Sequence, residues 1–148
     1  MTTPDPQLQR AFWSTSYGTA RERGWLARQP GLPPGWATGR WGIVTAWNPQ
    51  GWQADRVTNQ ERQAALEQQL QKRGLTFLPG HNGEGEWQEP TCLIASISAE
   101  ELAALGTAFG QAAVLHGTGP GGQATLLWLD KGGVYCREAG WAVRQRPD

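Results

Sequence analysis

Cysteine, histidine and methionine are scarce in this chain: two, two and one among 148 residues. Cys92 and Cys136 stand apart in apolar, strand-like surroundings without metal-ligand spacing. Reduced, buried thiols are the expectation, not a disulfide framework. A zinc site would need long-range convergence of both cysteines with His81 and His116, so no metal is expected. The same scarcity leaves few ways to build a Ser-His-Asp or Cys-His set, and no nucleophile elbow is present. Charge of one sign is lacking too, since thirteen Lys plus Arg balance thirteen Asp plus Glu. No global field draws in phosphate backbones or an anionic membrane, and the aromatic motif of RNA-binding sheets is missing, so nucleic acid is not expected. No apolar run approaches the roughly 18 residues of a membrane span. Met1 to Arg10 is polar, with no apolar stretch behind a basic start; no secretory signal is expected, and the cytoplasm is the expected compartment. Without a glycine-rich phosphate loop and its lysine, no cofactor is expected.

What the chain does hold is tryptophan, nine residues of it, with 20 glycines and ten prolines. Tryptophan in that number marks core edges and pocket walls. The length suits one domain with its own core. Asp5-Pro6 reads as a helix opening, with Leu8, Ala11 and Phe12 on one face and Tyr17-Gly18 after its end. The segment to Arg28 is open between extended chain and a further helical turn, and 29–40 is too rich in Pro and Gly for regular structure. Residues 1–40 therefore read as an N-terminal arm, 41–143 as the core domain and 144–148 as a tail.

Trp41 to Trp47 is a strand apolar on both faces, hence central, and Asn48-Pro49 stops it. After a loop from Gln50 to Val57, Thr58-Asn59-Gln60-Glu61 has the form of a capping box, starting a helix that Gly74 closes. Leu75 to Pro79 reads as a strand, Gly80 to Glu86 as a hairpin loop and Thr91 to Ile97 as the returning strand. Ser98-Ala99-Glu100-Glu101 opens a second helix, ended by Gly110. Strands follow at 111–115, 123–129 and 134–137. The order is βαββαβ, the split βαβ pattern of a ferredoxin-like α+β sandwich, with an N-terminal helical arm and extra C-terminal strands. Since the strands are apolar on both sides, the helix-free face needs a cover, either the arm or a second subunit in a homodimer.

If the first strand runs up, chain direction brings the end of that strand, the start of the first helix, the hairpin and the end of the second helix to one pole. Asn48, Asn59, His81, Glu89 and Gln111 converge there, with Trp47, Trp52 and Trp87 as walls. Each has a plainer reading beside the functional one. Asn48 before proline is a turn former, and Asn59 and Arg62 can serve local backbone or an ion pair with Glu89. Gln111 can cap helix carbonyls, and His81 sits in an exposed loop. Glu89 is the one acid or base of the set.

Four stretches carry a resemblance: Thr45-Ala46-Trp47-Asn48-Pro49, Asn59 with Arg62, Trp87-Gln88-Glu89-Pro90-Thr91, and Phe109-Gly110-Gln111-Ala112. Thr15 and Tyr17 supply a Thr-x-Tyr element. With these the chain resembles a bacterial family known only as domain of unknown function 3293, over about Phe12 to Leu129. The resemblance sharpens positions and brings no activity. The amide-rich set favours a small-molecule or peptide binding or regulatory module, in which Asn48, Asn59, Arg62, Glu89 and Gln111 fix a ligand between tryptophans. The alternative is a hydrolase using Glu89 as general base.

Overall fold

A computed structural model describes residues 3–148, apart from the Trp87 side chain. Helix α1 (Pro6–Ser14) begins at an Asp5 cap, whose Oδ1 accepts from the Gln7 and Leu8 amides at 2.7 and 3.3 Å. Two short strands follow, β1 (Ser16–Gly18) and β2 (Arg23–Ala27). The middle of the chain runs β3 (Trp41–Val44), α2 (Arg56–Lys72), β4 (Phe77–Asn82), β5 (Glu89–Ala95), α3 (Ala99–Ala108) and β6 (Ala113–Thr118). A meander of β7 (Gln123–Asp130) and β8 (Gly133–Val143) ends it. The chain is thus a mixed helix and strand protein, as the order of elements implies.

All eight strands join one antiparallel sheet in the order β1-β2-β8-β7-β6-β3-β5-β4. Its outermost strands then approach each other, the Gly83 amide donating to the Ser16 carbonyl at 2.9 Å. The sheet is therefore nearly closed and barrel-like. The segment that the sequence leaves open before Arg28 is extended, because Trp25, Leu26 and Ala27 take up pairing with Val143, Ala142 and Trp141 of β8. The N-terminal region is thus not only a helix and a loop: it supplies two strands of the sheet.

Alternation along the strands separates two cores. On the outer side, Leu66 and Leu70 of α2 and Leu102 and Leu105 of α3 pack on Val44, Cys92, Ile94, Val114 and Leu127. A Cβ on Gly42 would lie 2.7 Å from Leu102 and 2.9 Å from Ile97, so glycine lets α3 settle against β3. On the inner side, Tyr17, Trp41, Ile43, Leu93, Leu115, Leu126 and Trp128 are buried, with Leu8, Phe12 and Trp13 of α1 packed against them. Burial of each large side chain contributes about 1.5–3 kcal/mol. Phe12 meets Trp128 edge-on at 5.1 Å. The Glu138 carboxylate accepts from Trp128 Nε1 at 2.7 Å, Trp13 Nε1 at 3.2 Å and Gln9 Nε2 at 3.0 Å, tying α1 to β8. The helix-free face that made a homodimer an expectation is covered by α1 and the curl of the sheet, so the apolar surface behind that expectation is not on offer.

Several element boundaries differ from the sequence reading: β3 ends at Val44 and not at Trp47, β5 and β6 are shifted by about two residues, and β8 runs on to Val143 and not only to Arg137. Helix α2 starts at Arg56 with Asp55 as its cap, whose carboxylate takes both the Thr58 amide and the Thr58 hydroxyl at 2.8 Å. A carboxylate at the positive helix end outcompetes the threonine hydroxyl for that place. Strand β4 runs on through Gly80 to Asn82, so the hairpin turn starts later, because Gly80, His81 and Asn82 pair with Thr91, Pro90 and Glu89. Among the described residues no helix is long and apolar enough to cross a membrane.

Candidate functional site

Strand β3 ends at Val44, and the chain reaches Asn48 in the left-handed region, φ 47° and ψ 66°. Asparagine tolerates that conformation better than most residues, and here its amide also stitches the turn. Asn48 Nδ2 donates to Glu89 Oε1 at 2.9 Å, and Oδ1 accepts from Asn59 Nδ2 and the Ala54 amide, both at 2.9 Å. Asn59, 2% exposed, returns its own Oδ1 to the Asn48 amide at 2.9 Å. Both amide side chains are thereby spent on each other, on Glu89 and on the backbone of the 48–54 loop.

Arg62 and Gln111 hold this loop from behind. Arg62 Nε donates to the Ala46 carbonyl at 2.8 Å, and its Nη2 to the Phe109 carbonyl. No ion pair joins Arg62 to Glu89 among the described residues: the strand-end and helix-end carbonyls claim the guanidinium instead. Gln111 Nε2 donates to the Trp47 and Phe109 carbonyls at 3.2 and 3.3 Å, serving the exposed end of α3. Thr45 Oγ1 bonds the Pro90 carbonyl at 2.7 Å, which joins the loop to β5. Arg62 and Gln111 thus position the site and do not face its open side.

Glu89 is different. It is half-buried, one oxygen is held by Asn48, and no hydrogen bond reaches the other among the described residues. Burial pushes its carboxyl above the ordinary value, and the bond from Asn48 offsets part of that rise. Its side chain stands between two spaces. One is an open cleft of about 580 Å³ bordered by Trp47, Asn48, Gln53, Arg56, Gln88 and Glu89, with Asn59 and Glu86 also on its wall. The other is a cavity of about 50 Å³ at the end of the sheet's inner core, where Asn48, Asn82, Glu89 and Gln111 meet Phe12, Tyr17 and Leu115. Trp47 Nε1 in the cleft wall and Asn82 Oδ1 in the cavity are both buried without a partner.

Asn48, Asn59, Glu89 and Trp47 are therefore brought together at one cleft, with Gln111 behind it. Trp52 is 78% exposed in the adjoining loop and does not line the cleft. His81 lines neither space, and its pKa is lowered by burial and then by the Arg23 charge. The Trp87 side chain lies outside the described residues. Sequence reading missed Gln53, Arg56, Glu86, Gln88 and Asn82. Gln53 sits in the loop before α2 and Arg56 at the first position of that helix, both within the 50–57 stretch that reads as a loop in the sequence. Asn82 was hidden by the glycines around it, which make strand look like loop. Among the described residues, no group of three or more His, Cys, Asp and Glu side chains is placed to hold a metal ion.

The fold and the site define a mixed α and β protein whose sheet nearly closes on itself, with a polar cleft where its central strand stops. More particularly, residues 44–114 match the model of the family described as Protein of unknown function (DUF3293). That span takes in all four stretches of the resemblance and leaves out the Thr15 and Tyr17 element. No curated protein and no solved structure matches the chain.

Proposed function

We propose that the cleft at the end of β3 is a binding site and that the protein is a binding or regulatory module for a small polar molecule or a peptide. The observation behind this is Glu89: a half-buried carboxylate with one oxygen fixed and the other unspent, facing open space. Holding a carboxylate in that state destabilises the fold, and a donor brought by a ligand offsets the penalty. Trp47 Nε1 offers a donor in the same wall, and the Asn48–Asn59 pair ties the wall together while taking only one of the two carboxylate oxygens. A thermal-shift screen of polar metabolites and short peptides tests the reading. Compounds that stabilise the wild type are expected to lose that effect on Glu89→Gln; equal shifts in both proteins for every binder would reject it.

A hydrolase with Glu89 as general base is the second reading, supported by the raised carboxyl beside a cleft open to water. Its test is metal-free turnover of ester or amide substrates that Glu89→Gln abolishes. We also read β3, α2, β4, β5, α3 and β6 as a ferredoxin-like split βαβ unit within the larger sheet. The neighbour order β6-β3-β5-β4, antiparallel throughout, supports it. The buried free Cys92, its thiol pushed up to about 12 by burial, supports a cytoplasmic, reducing setting.

A further inference from the structure

The small cavity beneath the cleft has a one-sided hydrogen-bonding inventory. Asn82 and Glu89 are direct partners across the β4–β5 ladder, so their side chains leave the same face about 5 Å apart. Asn82 Oδ1 is buried with no partner, and one Glu89 oxygen is unspent. Two residues along the same face of β5, Thr91 is 2% exposed and its hydroxyl is unpartnered as well. The donors nearby are committed: Asn48 Nδ2 to Glu89, Gln111 Nε2 to two carbonyls, the Tyr17 hydroxyl to the Phe12 carbonyl. Among the residues that line the cavity, what remains is one charged Glu89 oxygen and the side-chain amide of Asn82, with no cationic side chain beside them.

We infer that the head group taken by this site is a primary ammonium, seated between the Glu89 carboxylate and the Asn82 side-chain carbonyl; this rests on reading the cleft as a binding site. An ammonium brings three donors, no acceptor and a positive charge, which suits a carboxylate oxygen set beside a side-chain carbonyl. A hydroxyl brings one donor and lone pairs that would face other acceptors. A quaternary ammonium has no N–H and overfills a cavity of about 50 Å³. Asn48, Gly51 and Glu89 border both spaces, so the head enters beside Glu89 while the body of the ligand lies in the open cleft. Arg56 and Glu86 on the cleft wall are left for the body's own charges.

Amide chemical shifts during titration with n-butylammonium, n-butanol, tetramethylammonium and glycerol test this. Saturable shifts at Asn48, Asn82 and Glu89 are expected with n-butylammonium and not with n-butanol or tetramethylammonium. Glu89→Gln should weaken that binding at least tenfold. Asn82→Asp, which adds a second carboxylate, should strengthen it several-fold, a gain that a purely structural Asn82 would not give. Equal binding of n-butanol, no gain in Asn82→Asp, or saturable shifts with glycerol but not with the amine would overturn the ammonium assignment and leave the cleft as a site. No saturable shift at the cleft with any of the four would overturn both.

Discussion

Asn48 combines a backbone conformation that suits few residues with a side chain that closes the turn around it. Asn48→Ala keeps the left-handed strain and removes three hydrogen bonds, leaving Glu89, Asn59 and the Ala54 amide short of a partner. The expected cost in urea denaturation is about 2–4 kcal/mol. Asn48→Gly loses the same bonds without the strain and should be milder by about 1 kcal/mol. Glu89 calls for a pH argument. Its folded-state carboxyl lies above the unfolded value, so the folded chain binds the proton more readily. Wild-type stability without ligand then falls as pH rises from the unfolded-state value to the folded-state value, and stays lower above it. Glutamine keeps an acceptor for Asn48 Nδ2 and carries no charge. Glu89→Gln should therefore be the more stable protein at neutral pH, with the gap closing in acid, as denaturation across that range will show. The convergence of Asn48, Asn59 and Glu89 is legible in the sequence because chain direction alone assigns each strand and helix end to a pole. Spacing does not reveal which way an amide or guanidinium turns, and that is why Arg62 is found on the Ala46 and Phe109 carbonyls and not on Glu89.

Among the elements, α2 and α1 show how local and distant signals differ. Asp55 and Thr58 are both competent caps three residues apart, and sequence alone ranks them poorly. The Asp55 carboxyl is held below its ordinary value, first by the Thr58 amide and then by the Thr58 hydroxyl. Its contribution is present above the unfolded-state value and is lost as pH falls through the lowered one. Asp55→Ala should lower the melting temperature more than Glu61→Ala, the difference shrinking in acid; equal losses would return the cap to Thr58. Helix α1 is legible from Asp5-Pro6, but its anchor is not, because Glu138 lies 125 positions from Trp13. Glu138→Ala strips the acceptor from two indoles and the Gln9 amide. A loss of about 2 kcal/mol is expected, with faster amide exchange confined to α1 and β8 while α3 stays protected.

For the whole molecule, the closing of the sheet is the feature the sequence conceals most completely. Strand β1 has three residues and no alternation, and what recruits it is a seam with β4 that exists only once both are placed. The seam is thin: the Gly83 amide on the Ser16 carbonyl, and Arg23 Nη2 on Ser16 Oγ at 2.8 Å and on the Gly83 carbonyl at 3.3 Å. Gly80 makes it possible, since a Cβ there would lie 2.5 Å from the Gly18 carbonyl oxygen and 2.9 Å from Thr91 Oγ1. Neither neighbour can retreat cheaply, the one being backbone and the other packed in the inner core. Gly80→Ala should force β1 from β4, costing about 1–3 kcal/mol, whereas Gly121→Ala, with its nearest atom 3.4 Å away at the end of Gln123, should stay within about 0.5 kcal/mol. Hydrogen exchange decides where the energy goes. If the seam closes the sheet, Gly80→Ala speeds exchange at Gly83 and through β1 while the β3–β5 ladder keeps its protection. Unchanged exchange at Gly83 would mean that β1 rests on β4 without holding it, and that the inner core, with the cavity beside Glu89, is sealed by α1 alone.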